Sequence, residues 1–349
     1  MLRCGTAFRQ RRDALPFGRN PHSNNGVTID KKPDSGKRDT ASPVIVGVRN
    51  HRSAELSYTG SKSYAATVII PTYNRRDLTS KSLDSLLLQE ENTEPFEVIV
   101  CDDGSSDDTF EVLRSKYRGL NLKYTYYPDH GYHVARARNM GIRLAEGEYC
   151  IFLDSGNIAS SVLVKSHLAV HRSSASKTAV IGHSYGNTAF SELDPLLADY
   201  ADRSADEIIA YASTVQKLAD VRERLFRACK DNITGLSTTW GLFWGNVSMP
   251  TESVRQVGGY DEWYTSWGVE DIDLGLALKL SGHRFVFSPD AVMLALPHRK
   301  DKNTRLESHA KNIAHLHEKY NNADSQLLIE AGDGNKMFWE ELSDLGYNP

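Results

Sequence analysis

The stretch "YCIFLDSGN" (149–157) ends a mostly apolar run on an acid, Asp154. A strand that delivers a carboxylate to its C-terminal end can hold a metal ion or a sugar nucleotide, although one carboxylate alone is a poor metal site. A denser signal lies downstream in "GGYDEWYTSWGVEDIDLGLALKLSG" (258–282), where two glycines permit a tight turn and Trp267 and Gly268 precede the acidic pair Glu270 and Asp271. Acids in the first turn of a helix are stabilised by its dipole, so a charged helix start is one reading. An aromatic and a glycine beside them support another: a sugar-stacking platform next to a general base that deprotonates an acceptor hydroxyl.

Two upstream loops carry related chemistry, "PTYN" (71–74) and "CDDGSSDDT" (101–109). Asp103 can accept from the imide nitrogen of a pyrimidine, and Tyr73 offers a ring face for stacking. The alternative is that Asp102 and Asp103 cap the next helix and face solvent. In "GYHVARARNMG" (131–141), Arg136 and Arg138 are two apart and point to different sides of a helix. A guanidinium fixed near Asp103 or Asp154 would hold a carboxylate or neutralise a diphosphate, and Arg138 is the candidate.

The elements that must position these groups alternate. "ATVII" (66–70), stopped by Pro71, "FEVIV" (96–100), "LKYTYY" (122–127) and the run ending at Asp154 read as strands. Between them lie helical patterns: Leu78, Leu83, Leu86 and Leu87; a segment capped by "SSDDT" (105–109); and 134–147, closed by Gly147. Strands alternating with helices imply an α/β fold with a parallel sheet, whose ligands bind at the carboxyl ends of the strands. Further on, 192–226 reads as a helical insertion, 239–250 and 284–289 as strand-like, Leu274–Leu280 as a helix, and Thr304–Tyr320 as another before short polar pieces.

Composition narrows the class. The 349 residues are 25% charged and 40% hydrophobic, and no apolar run is long enough to cross a bilayer. With no apolar secretory segment, a cytoplasmic protein is expected. Residues 1–64 hold twelve Lys or Arg against five Asp or Glu, so the rest is acidic and lacks the basic stripe of a nucleic-acid binder. That leader is expected to be disordered or loosely packed, with one strand-like piece, "VIVGV" (44–48). Cys4, Cys101, Cys150 and Cys229 are scattered and read as thiols rather than a zinc or disulfide framework. "PTYNRR" after the first strand lacks the glycines of a dinucleotide cradle, which excludes a Rossmann oxidoreductase.

Taken in order, "VIIPTYNR", "VIVCDDGSSDDT", "ARNMGIRLAEGEYCIFLD" and "GNVSMPTESVRQVGGYDEWYTSWGVEDIDLGLAL" resemble the inverting family 2 glycosyltransferases of GT-A fold. The last segment, with its W-G-x-E-D-x-D-L core, is similar to the C-terminal motif of galactosyltransferases. The resemblance implies a Rossmann-like, mostly parallel sheet flanked by helices, with a helical insertion and a C-terminal helical tail. It divides the chain into the leader, a nucleotide-sugar-binding half (65–158), an acceptor-binding and catalytic half (159–300) and the tail (301–349). It assigns Pro71, Thr72, Tyr73, Asp103, Arg138 and Asp154 to a UDP-sugar donor, and Asp271, with Glu270, to catalysis as base. Trp267, Gly268 and Trp244 fall on the acceptor side, and Asp154 with His298 on Mg²⁺ or Mn²⁺. The family's D-x-D asks for an acid where this chain has Gly156, so the diphosphate and water must complete the ion's ligands, or arginines replace it. The expected reaction moves a hexose, with glucose the leading choice, to a hydroxyl of a small sugar-like or cyclitol acceptor in antibiotic or other secondary metabolism. A surface polysaccharide or glycan is the alternative acceptor, and sugar-nucleotide or glycan binding without turnover the alternative function.

Overall fold

The β-branched runs become strands whose residues alternate between two apolar layers. Our computed structural model describes residues 44–48, 64–117, 119–174, 177–186, 203–229, 233, 236–296 and 302–346. In chain order the strands are β1 (Val44–Val48), β2 (Tyr64–Thr72), β3 (Phe96–Asp102), β4 (Leu122–Tyr126), β5 (Gly147–Phe152), β6 (Asn157–Ala159), β7 (Thr178–Tyr185), β8 (Val247–Pro250) and β9 (Arg284–Ala295). They form one sheet of order β1-β4-β3-β2-β5-β8-β7-β9-β6. Its centre, β4-β3-β2-β5, is parallel, and β8 runs antiparallel to β5. The strand-like piece of the leader joins the sheet as β1, antiparallel to β4.

Helices α1 (Arg76–Leu87), α2 (Thr109–Lys116) and α3 (Val134–Leu144) make the crossovers between the parallel strands. Val68, Ile70, Val98, Val100 and Ile151 face one apolar layer, which includes Leu83, Leu86, Phe110 and Leu113 of α1 and α2. Their neighbours Ile69, Ile99, Cys101, Cys150 and Phe152 face the other. This period of two buries both faces of the sheet and leaves the carboxyl ends of β2, β3 and β5 together at one rim. Cys101, Cys150 and Cys229 are buried thiols outside any disulfide.

Helix α4 (Leu163–Ser173) leads to β7, and after residues 187–202, outside the described set, come α5 (Ala205–Thr214), a 3₁₀ turn at Gln216–Leu218 and α6 (Glu223–Ala228). Then follow α7 (Thr251–Gln256), α8 (Glu270–Leu280), α9 (Lys302–Tyr320), α10 (Ala323–Ala331) and α11 (Gly334–Asp344).

Several local expectations change. Pro71 does not stop β2, which runs on to Thr72. The β5 ladder ends at the Ile69–Phe152 pair, so the missing Pro71 N–H falls where β2 has only β3 beside it. Gly147 starts β5 instead of closing α3, and a Cβ there would come within 2.4 Å of the β2 backbone at Ala66. Residues 239–250 split into a 3₁₀ turn (Thr239–Leu242) and the short β8. The polar pieces after Tyr320 are two helices, because Asn322 and Asp333 cap them and Leu328, Phe338 and Leu342 supply buried anchors.

Candidate active site

The loops at the sheet rim are shaped by buried carboxylates. Asp102 is fully buried and accepts from the Gly104 and Ser105 N–H groups and the Tyr124 hydroxyl, so it builds the loop rather than capping α2. The N-cap position of α2 is Asp108, whose side chain makes no capping bond, and Asp107 accepts from the Thr109 N–H and hydroxyl instead. Asp103 is also buried, accepting from His133 N–H at 2.7 Å and Arg136 Nη2 at 2.9 Å. Burial pushes its carboxyl group up, and the Arg136 guanidinium opposes that push. Gly104 has φ +103 and lies against the Asp129 backbone, where a Cβ would come within 2.5 Å. Tyr73, 44% exposed, donates its hydroxyl to Asp129 at 2.8 Å, leaving an aromatic ring at the rim beside Asp103. Pro71 and Thr72 form the β2 terminus beneath it, where the Thr72 hydroxyl bonds that of Thr79.

The first two arginines of α3 serve separate sets of acids. Arg136 takes Asp103, while Arg138, 4% exposed, reaches Asp154 with Nη2 at 2.8 Å. The Arg138 Nη1 meets Glu270 at 3.0 Å and Asp271 at 3.4 Å, so three carboxylates share one guanidinium. Its Cζ lies 5.0 Å from the centre of the Tyr260 ring, a buried cation–π contact. Burial alone would lower the Arg138 pKa, but Asp271, Asp154 and Glu270 together raise it well above its ordinary value. Burial pushes the Asp271 carboxyl group up to about 7, against the pull of Arg138 and with help from Glu270 and Asp154. It does so although 19% of the side chain remains open to solvent, because protein atoms surround the carboxylate. A carboxylate that gains its proton near neutrality is suited to general base work.

The acid pair opens α8 after an unusual turn. Gly268 has φ +96 and Val269 has φ +76, the latter a β-branched residue in the left-handed region. Such a conformation costs about 1–2 kcal/mol and persists only where its surroundings enforce it. Asn139, next to Arg138, binds both the N–H and the carbonyl of Tyr260 at 2.8 Å and so fastens α3 to the double-glycine turn. Gly259 is required there, since a Cβ would lie 2.5 Å from Asn139 Oδ1.

The remaining expected residues divide. Trp267, 40% exposed, and Gly268 sit on the loop immediately before the acids. Trp244 is half-buried with its ring 4.1 Å from the Arg222 guanidinium, packed against the core. Trp240, four residues before Trp244, is wholly buried, so it offers no surface to a ligand. His298 lies outside the described residues. Sequence reasoning missed Tyr260, Asn139 and Tyr132. Tyr132 lies in the loop before α3, where burial of its hydroxyl, reinforced by the nearby charges of Glu270, Asp154 and Asp271, pushes its pKa up. The asparagine following Arg138 and the tyrosine following Gly259 were visible within the quoted motifs, but only their mutual contact explains them.

Gly156 explains the missing second acid. Its φ is +94, a conformation that side-chain-bearing residues rarely adopt, and a Cβ would meet Leu78 at 3.2 Å. Its N–H donates to Ser82 Oγ at 2.9 Å, which holds the turn against α1. Among the described residues no group of three His, Cys, Asp or Glu side chains is arranged to hold a metal. The 48% exposed Asp154 side chain offers hard carboxylate oxygens, which fit a divalent ion that takes most of its ligands from a diphosphate and water.

A parallel sheet rim with acidic loops, facing an acid pair at a helix start, defines the class of GT-A transferase folds. The chain belongs to the family 2 glycosyltransferases. The family model "Glycosyl transferase family 2" matches residues 67–173, and that of the "N-terminal domain of galactosyltransferase" matches 228–302. The chain is 34% identical over 287 residues to a validoxylamine A glucosyltransferase of Streptomyces hygroscopicus subsp. limoneus, an alignment covering 81% of this chain and 62% of that protein. It therefore spans less than two thirds of that relative's length. It is 30% identical to the uncharacterized glycosyltransferase YfnE of Bacillus subtilis, over 74% of this chain and 71% of that one. In fold it is similar to S. aureus TarS (1–349), solved in complex with UDP-GlcNAc, with a TM-score of 0.54 at 18% identity over 78% of this chain and 72% of that one. Among the described residues no helix is long and apolar enough to cross a membrane.

Proposed function

We propose that this chain is an inverting glycosyltransferase that moves a hexose, with glucose the first choice, from a UDP-sugar to a hydroxyl of a small sugar-like or cyclitol acceptor. The carrying observation is the Arg138 hub, which joins Asp154 at the donor rim to Glu270 and Asp271 at the start of α8. Similarity to a relative named for glucosylating validoxylamine A supports the choice of sugar and acceptor class.

The reaction is a single displacement. An Asp271 oxygen takes the acceptor hydroxyl proton while the acceptor oxygen attacks the anomeric carbon from the face opposite the diphosphate. The bond from that carbon to the diphosphate oxygen breaks, its electron pair leaves with the nucleotide, and the configuration inverts. Asp271, with its proton affinity raised to about 7, accepts the proton and returns it to solvent after product leaves. Glu270, 5% exposed, and Arg138 hold Asp271 in a charged, hydrogen-bonded frame. Tyr73 stacks on the uracil ring and Asp103 accepts from its imide, while Trp267 and Gly268 border the acceptor. Asp154 would hold a divalent ion delivered with the donor, and that ion supplies charge neutralisation to the departing diphosphate.

Incubating purified full-length protein with UDP-glucose, other UDP-hexoses and a panel of cyclitols, pseudo-sugars and oligosaccharides, read by mass spectrometry, tests this. A hexose adduct on a cyclitol or small sugar is expected. Adducts on long glycans alone would move the acceptor to the polysaccharide class, and donor binding without any adduct or donor hydrolysis would refute the transferase reading.

A further inference from the structure

Helix α9 grips the loop that leads to the acid pair through its second half, residues 312–320. Lys319 binds Asp261 at 2.8 Å, and His315 stacks flat on Trp263 with ring centres 3.6 Å apart. Further along the loop, Asn312 is fully buried, and its side-chain Nδ2 donates to the carbonyl of Gly268 at 2.7 Å and to those of Trp267 and Ser266 at 3.3 Å each. Its Oδ1 faces the Ser266 hydroxyl at 3.3 Å. Beyond the acids, Lys319 and the Tyr320 hydroxyl reach Asp273 in the first turn of α8, which Tyr264 of the loop also binds.

We propose that Asn312 is a positioning residue for the acid pair, holding Gly268 and Val269 in their left-handed conformations so that Asp271 points at the Arg138 hub. The inference rests on Asp271 acting as the base. The three successive carbonyls that Asn312 Nδ2 meets at 2.7–3.3 Å tie down the backbone immediately before Val269, so the carboxamide opposes relaxation of that residue out of its left-handed conformation. The bonded groups are backbone, which means the constraint acts on the direction of the chain entering α8 rather than on any side chain of the site. Asn312 contacts neither the Arg138 hub nor the donor rim, so its effect on transfer passes through the turn it bonds, which carries Trp267 and Gly268 and leads into Asp271; the pH profile singles out the Asp271 part.

The test compares wild type with Asn312→Ala and Asn312→Ser, each alone and with Val269→Gly, which accepts positive φ without strain. UDP affinity by calorimetry, kcat for transfer and the pH profile of kcat are read together. Expected are UDP affinity within about threefold of wild type, and kcat about 10- to 100-fold lower, as small misplacements of reacting groups produce. The acid limb of the pH profile should move below pH 7 as Asp271 gains solvent, since burial is what holds it up. Val269→Gly should recover part of kcat. Unchanged kcat and pH limb in both variants would overturn the proposal. So would joint loss of UDP binding and activity without recovery by glycine, since the clamp would then serve folding alone. Absence of transfer in the wild type with every donor and acceptor is a different result, and it removes the parent reading along with this one.

Discussion

Replacing Asp271 by Asn should make the protein more stable while nearly abolishing transfer. Burial, reinforced by Glu270 and Asp154 and opposed by Arg138, moves the carboxyl from its ordinary 3.8 to about 7. Because the folded pKa lies above the unfolded one, this group favours folding most at low pH and progressively less as pH rises from about 4 to 7. The difference is worth about 4 kcal/mol once the pH exceeds 7. Asn removes that cost, which is already net of the Arg138 attraction, but its amide meets the guanidinium less well than the protonated carboxyl does, by about 1 kcal/mol, for a net gain of about 3 kcal/mol at pH 8. With an unfolding entropy of about 0.7 kcal/mol per degree for a chain of 349 residues, Tm should rise by about 4 °C. The gain should shrink to about 1 °C at pH 5, only about one unit above the unfolded pKa, where keeping the carboxyl protonated in the fold costs just under about 2 kcal/mol. Loss of the base should cut kcat about 10²- to 10⁴-fold with UDP affinity retained. Scanning calorimetry at pH 5 and 8, beside initial rates, checks both halves. A variant that is less stable at pH 8, or one that keeps kcat within tenfold, would refute the argument that Asp271 is a strained, buried base.

Arg138→Gln should destabilise the fold by about 3–5 kcal/mol at pH 8, since Glu270 and Asp271 then stay buried without their guanidinium, and chemical denaturation at pH 8 and 5 should find the loss smaller at pH 5. His167 and His171 form a buried chain through Ser248, and burial drives their pKa values down to about 4 and about 3. Their contribution to stability is complete above pH 6.5 and erodes as pH falls, by about 4 kcal/mol for the pair at pH 5; His171→Asn should roughly halve that acid sensitivity in urea melts. Gly156→Asp, which writes the second acid of a D-x-D, should lower stability by at least 1–2 kcal/mol and fail to tighten Mn²⁺ binding by calorimetry, because φ +94 and Leu78 oppose the side chain; tighter Mn²⁺ binding with unchanged Tm would contradict this.

Sequence legibility followed the range of the forces involved. The four central strands and their helices were readable because alternation and helical spacing record burial locally, as in Val68, Ile69 and Ile70 facing opposite layers. Boundaries failed where a neighbour decided them: Pro71 is tolerated because β5 has already departed, and Gly147 is there to clear the β2 backbone. Of the arginines, only Arg138 was singled out, yet the fold gives each its own acid, Arg136 to Asp103 and Arg138 to Asp154. Nothing local in the sequence separates the buried Trp240 from the exposed Trp267; Trp240 is core because the 3₁₀ turn that carries it packs under α8, where a Cβ on Gly275 would come within 2.5 Å of its carbonyl.

By itself the sequence determined the α/β alternation, the family, and the acids and arginines available for chemistry, because each is written in residue type and short-range order. Only the tertiary structure decided that Arg138 joins Asp154 to Glu270, which lies 132 residues beyond the arginine, and that burial lifts the Asp271 pKa to about 7. Proton affinity depends on burial and on charges a few ångströms away, and those distances exist only once the chain has folded.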